Sequence, residues 1–168
     1  MLPADDSCGV IDLGQRSRVW LGFVSVNPTG PLHVGHGRGA ILVSTLANVL
    51  ATAGYKVEKE YYINDAGSQI KAFYRSLYAR YQQCLGIDAE MPADGYLGSY
   101  MIDLAEEIIA EQGDRFLSLA PKEALSQLGH IGLVKPIELI KSDLGLVGVS
   151  VDVCASARRV VDNGYYTR

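Results

Sequence analysis

The chain has little cysteine, no long apolar run and no excess of positive charge. Its three cysteines, Cys8, Cys84 and Cys154, are odd in number and far apart, and none sits in a Cys-x-x-Cys spacing. That excludes a disulfide framework and a thiolate zinc site, so no protein-bound metal is expected and a reducing, cytoplasmic setting is. No stretch approaches the uninterrupted apolar length of a membrane helix, so no membrane association is expected. The first residues, MLPADDSCGV, have neither the basic nor the apolar region of a secretory signal. The formal net charge is −4. A protein whose whole surface grips nucleic acid would be basic, so any RNA contact must use a local patch or another part of the protein. Repeats, low-complexity tracts and any residue that reads as an activated nucleophile are also missing.

What is present is one domain's length, 168 residues, organised around Phe23–Gly39, FVSVNPTGPLHVGHGRG. Residues 1–18, with Pro3, Gly9 and Gly14 among polar residues, read as a linker with little fixed structure before Val19. Val19–Val26 is a mostly apolar run suited to a buried parallel strand. A Pro/Gly turn follows, then a helix from about His36 to Ala53. There Leu42, Thr45, Leu46, Val49, Leu50 and Ala53 recur at helical spacing, and Gly54 is the stop. Val57–Ile63 reads as a second strand. Strand, helix and strand make a βαβ unit over residues 19–67, with parallel strands and a right-handed crossover. From 68 to 168 the pattern is mainly helical. Ser68 is an N-cap candidate for a helix to about Leu85 whose face is Ile70, Phe73, Tyr74, Leu77, Tyr78 and Tyr81. Gly98 to about Glu111 is a further helix. Another runs from Pro121 to Leu144, bent at Pro136. Gly145–Val153 is a candidate short strand. The fold class expected is α/β: a Rossmann-like parallel sheet followed by helices.

In open parallel sheets ligands bind beyond the carboxyl ends of the strands. Ser25–Gly35 follows the first expected strand and Asn64–Gly67 the second, so both loops should border one pocket. His33 and His36 are three apart at a helix entrance, where backbone N–H groups and the helix dipole favour an anion. With Gly35 between them leaving the backbone open to a flat ligand, they can hold phosphate oxygens and stabilise charge growing at phosphorus. For a lone histidine a capping or core hydrogen bond is the commoner reading; the pair after a strand and a Pro/Gly turn points to a nucleotide. Ser25 and Asn27 suit the ammonium and carboxylate of an amino acid, or serve as turn caps. Asn64 and Asp65 read as a pocket wall or as turn formers. The tyrosines Tyr61, Tyr62, Tyr74, Tyr78 and Tyr81 read as packing residues, since no basic run is interleaved with them. Lys56, Lys59, Arg158 and Arg159 read as solvated charge.

VSVNPTGPLHVGHGRGAI, followed by LANVLATAGYKVEKEYYINDAGSQI, resembles the catalytic domain of arginyl-tRNA synthetases. His33-Val34-Gly35-His36 matches the H-I-G-H signature of class I aminoacyl-tRNA synthetases, and N-P-T-G-P-L and Y-I-N-D-A-G are the flanks that single out the arginine enzyme. The likeness continues more weakly through YLGSYMIDLAEEI and IKSDLGLVGVSVDV. It implies a partial class I (HUP-type) catalytic domain over residues 19–168, in which the first half of the nucleotide-binding sheet (19–67) is followed by a helical insertion (68–168), incomplete at the C-terminus. It implies ATP-dependent activation of L-arginine to arginyl-adenylate and transfer to tRNA-Arg, with magnesium accompanying ATP as substrate. Thr29, Gly30, His33, Gly35 and His36 would bind ATP, the two histidines catalytically, and Ser25, Val26, Asn27 and His33 would hold arginine. The full-length enzyme would be a monomer, and this piece would be inactive alone. The chain departs from the family at Gly22, where a glutamate is usual, and at Cys154-Ala155-Ser156-Ala157-Arg158, where a W-F-S-E-R-like segment is usual. Two other readings stand beside it: a different H-x-G-H nucleotidylyltransferase, and a truncated, inactive paralogue. An incomplete sheet would also leave an exposed edge and an uncovered apolar face, which predicts poor solubility.

Overall fold

The computed structural model describes residues 9–163. Its elements run β1 (Arg18–Phe23), α1 (Val34–Thr52), β2 (Lys56–Ile63), α2 (Ser68–Cys84), α3 (Tyr100–Gln112), α4 (Pro121–Leu146), β3 (Val153–Ser156) and α5 (Ala157–Asp162). They form two compact units. A sheet unit takes residues 9–26, 32–64 and 142–163, and a helical unit takes Asn27–Pro31 and Asp65–Lys141.

In the sheet unit the three strands lie in the order β1-β2-β3, all parallel. The expected βαβ unit is therefore present, its strands aligned from Arg18↔Lys56 to Phe23↔Tyr61. β1 is shorter than the apolar run Val19–Val26. Val24 and Ser25 take φ of +69° and +24°, in the left-handed region where a residue cannot continue a ladder. Nor is β1 buried on both sides: Phe23 is inside, whereas Trp20 is 61% exposed. The stripe expected on α1 is also corrected. The face turned inward is Ala40, Ser44 and Ala47, small residues that let the helix lie close to the sheet. Leu42, Leu46 and Val49 point outward, Leu42 being 70% exposed.

The segment before β1 is held more firmly than its composition suggests. Ile11, Gly14 and Arg16 donate backbone hydrogen bonds to the carbonyls of Thr52, Ala53 and Gly54 at 3.1, 2.9 and 2.9 Å. These are the carbonyls left over at the end of α1, and Gly54 (φ +88°) supplies the left-handed stop there. Residues 1–8 of the expected linker lie outside the described residues. The third strand falls later than Gly145–Val153. Asp152 caps the backbone of Lys59, accepting from its N–H through Oδ2 and donating to its carbonyl, both at 2.8 Å. Pairing then begins at Glu60↔Val153.

The helical unit has its own core. Ile70, Phe73, Leu77 and Tyr81 of α2 pack with Met101, Leu104 and Ile108 of α3, and with Leu128 and Leu133 of α4. This is the α2 face expected from the spacing. The N-cap is Gly67 (φ +93°), not Ser68, which is already the first helical residue; no side chain caps the helix. α4 approaches α2 through two glycines. A Cβ at Gly129 would lie 2.3 Å from the Tyr74 ring, and one at Gly132 would lie 2.1 Å from Leu77. The helix runs on through Pro136. Lys135 on α4 bonds Glu107 and Glu111 on α3, each at 2.7 Å. Burial pulls its pKa down, but these two carboxylates outweigh burial and hold it above the ordinary lysine range.

Candidate active site

In the sheet unit β1 delivers the chain to Ser25 and Val26, and α1 opens at His33. His33 is the N-cap of α1 with extended backbone, and the two histidines cap one another. Nδ1 of His33 accepts from the backbone N–H of His36 at 3.4 Å. Nδ1 of His36 accepts from the backbone N–H of His33 at 3.3 Å. This is the reciprocal arrangement of a capping box, made by two imidazoles in place of a hydroxyl and a carboxamide or carboxylate. The rings stack with centroids 3.4 Å apart and planes 21° apart.

The capping role and the functional role are therefore not alternatives. A ring that accepts at Nδ1 in its neutral form carries its proton on Nε2, so each histidine keeps one N–H donor for a ligand. Burial, then the neighbouring His33, lowers the pKa of His36 below 6.5, which favours that neutral form near pH 7. The unpaired backbone N–H groups of a 19-residue helix add their partial positive charge at the same end. Gly35 is needed for a reason sequence reasoning missed. A Cβ there would lie 3.0 Å from Cε1 of His33, so the ring rests where a side chain would be. The face of Gly35 that composition suggested was open is covered by His33 in this arrangement.

Val26, buried, accepts a hydrogen bond at its carbonyl from the Tyr61 hydroxyl at 3.0 Å. Tyr61 is fully buried and its pKa is pushed up to about 12 by burial and then by Cys154. It is the packing residue expected, and it also pins the turn after β1. Because β1 and β2 are adjacent and parallel, Asn64, directly after Ile63, lies beyond the same strand ends as Ser25 and Val26.

Asn27, Thr29, Gly30 and Asp65 belong to the helical unit. There Asn27 donates through Nδ2 to Oε1 of Gln69 near the start of α2. Thr29 is buried, and its carbonyl accepts from the Tyr100 hydroxyl at 2.8 Å. Gly30 sits against the same ring, with a Cβ there 3.3 Å from the Tyr100 hydroxyl oxygen. Burial, then Tyr96, pushes Tyr100 up to about 12. Sequence reasoning passed over Gln69 and Tyr100, which look like ordinary helix residues; their roles depend on contacts distant in sequence.

One cleft of about 300 Å³ lies between Arg18, Trp20, Lys56 and Glu58. It is at the starting ends of β1 and β2, away from the histidines. Among the described residues no three His, Cys, Asp or Glu side chains gather where they could hold a metal ion, and no helix is long and apolar enough to cross a membrane.

The family model for class I tRNA synthetases (R), catalytic domain, matches residues 2–119. A protein named arginine–tRNA ligase from Dehalococcoides mccartyi is 53% identical over 160 residues, 95% of this chain and 29% of that protein. One of the same name from Shouchella clausii is 46% identical over 100% of this chain and 30% of its own length. A Campylobacter jejuni crystal structure assigned as an arginyl tRNA synthetase superposes with a TM-score of 0.80 at 35% identity, over 94% of this chain and 34% of that one. The Thermus thermophilus arginyl-tRNA synthetase shares the fold at a TM-score of 0.54 and 22% identity. The chain spans a little under a third of the length of these curated relatives. With the parallel sheet, the histidine-capped helix and more than half its length under the family model, the chain belongs to the class I tRNA synthetase (R) catalytic-domain family.

Proposed function

We propose that this chain carries the ATP- and arginine-binding part of an arginine–tRNA ligase, which activates L-arginine to arginyl-adenylate and passes it to tRNA-Arg. The observation that carries the reading is the reciprocal capping of His33 and His36 at the head of α1, directly beyond β1. It presents two Nε2–H donors and a helix dipole at one point, which suits the α-phosphate of ATP. In-line attack by the arginine carboxylate puts charge on that phosphate, and donors already in place stabilise it without reorganisation. Gly35 as the contact that admits the adenosine rests on the sequence match alone, since the His33 ring lies against it. Ser25, Val26 and His33 receive the amino-acid end. Asn27 as an arginine ligand, Thr29 and Gly30 as ATP ligands and Asp65 as pocket wall rest on the sequence match alone; Asn64 is supported by its place beyond β2. Magnesium arrives with ATP as substrate, tRNA is gripped largely by parts of the ligase beyond this segment, and the setting is the cytoplasm, with the complete enzyme a monomer.

A chimera tests this. The chain replaces the matching segment of the Dehalococcoides mccartyi ligase, and arginine-dependent ATP–pyrophosphate exchange is measured. Exchange is expected. His36→Ala should slow it about 100-fold while changing arginine affinity less than threefold, the scale of a lost transition-state donor. Equal losses in rate and affinity would remove the transition-state role, and a folded chimera without exchange would remove the reading.

A further inference from the structure

L-Arginine brings an α-ammonium and a guanidinium, and a half-desolvated cation needs a carboxylate partner. The side chains placed at the site within the sheet unit, Ser25, Val26, His33 and His36, offer none. β1 offers none either, since the residue on its outward face nearest the strand end is Gly22. Parallel partners point to the same face of a sheet, and the partner of Gly22 on β2 is Glu60. Glu60 is half-buried, and its position is set from both sides, by Gly22 on β1 and by Val153 on β3. Its neighbour two residues back, Glu58, is spent on Arg18 at 3.4 Å. The Glu60 carboxylate makes no hydrogen bond or ion pair among the described residues. Beside it the space is open: a Cβ at Gly22 would meet nothing within 4 Å.

Resting on the functional reading above, we propose that Glu60 is the carboxylate that receives the α-ammonium of arginine, reaching across the bare backbone of Gly22 from the neighbouring strand. Gly22 is then the complement of Glu60. Its missing side chain leaves the room through which the ammonium and the carboxylate meet, and its φ is ordinary, so a side chain can be placed there without backbone strain.

The experiment is calorimetry on the full chain with L-arginine and with argininic acid, which carries a hydroxyl where arginine carries the ammonium. The wild-type chain should prefer arginine by about tenfold or more, the scale of a hydrogen bond to a charged group. Glu60→Gln, which keeps shape and removes charge, should abolish that preference, with its melting temperature recorded to show that the variant is folded. Adding Gly22→Glu to Glu60→Gln moves the carboxylate one strand over and should restore the preference. A wild-type chain that binds neither compound overturns the functional reading and this proposal with it. A wild-type preference that survives Glu60→Gln in a folded variant overturns the proposal alone.

Discussion

His36 caps α1 and, in the proposed function, also serves the chemistry. Its Nδ1 closes the cap of α1 and its ring stacks on His33, so adding a second proton to the imidazole costs the cap its acceptor. Burial, first, and His33, second, hold its pKa below 6.5. The sign follows from linkage. Between the ordinary value and the lowered one the unfolded chain binds a proton that the folded chain refuses, so stability falls as pH drops through that window and is regained above it. NMR titration of the His36 ring should give a midpoint below 6.5. His33→Asn, which keeps a capping oxygen and removes the ring, should move the midpoint upward. A midpoint that stays where it was would show that His33 has no part in the shift.

At the scale of elements, the contact between α2 and α4 depends on glycines that carry no chemistry. Gly129 admits the Tyr74 ring, and the hydroxyl of Tyr74 lies 3.4 Å from Nδ1 of His130 on the same helix α4. Gly129→Ala would raise helix propensity by about 1 kcal/mol in an open site. Here the new methyl would lie 2.3 Å from a ring atom of Tyr74, and overpacking of this kind costs about 1–3 kcal/mol. The clash should win. Chemical denaturation is expected to show net destabilisation by Gly129→Ala, with recovery in a Gly129→Ala/Tyr74→Leu double variant. Stabilisation by the single change would mean that the two helices part easily.

At the scale of the whole chain the outward face of α1 matters most. Ile41, Leu42, Leu46 and Val49 are exposed there, as are Trp20 on β1 and Val34 at the head of α1. Apolar surface of this extent favours association, and among the described residues β1 and β3 are open sheet edges that can template it. Analytical ultracentrifugation of the chain is expected to show concentration-dependent oligomers. Leu42→Lys with Val49→Glu should reduce them while changing stability by less than about 1 kcal/mol, because neither side chain is buried. A monodisperse, cooperatively melting wild-type monomer would contradict this.

The amino-acid sequence by itself determined the strand–helix–strand order, the parallel class of the sheet, the packing face of α2 and the histidine pair at the head of α1. These depend on local periodicity, turn chemistry and short spacings, which are written in consecutive residues. It could not determine which side of α1 faces the sheet. The larger apolar residues marked one stripe, and close packing on the strands selected the smaller Ala40, Ser44 and Ala47 instead. Nor could it show that Val24 and Ser25 leave the strand early, or that the Tyr100 hydroxyl anchors Thr29. Gly22 facing Glu60 was equally hidden, because a register pairs residues far apart in the chain. At the candidate site, tertiary structure changed the meaning of the opening motif. The two histidines hold the helix end with one nitrogen each and leave the other for the phosphate contact of the proposed function, an arrangement that exists only once the backbone N–H groups of α1 are in place.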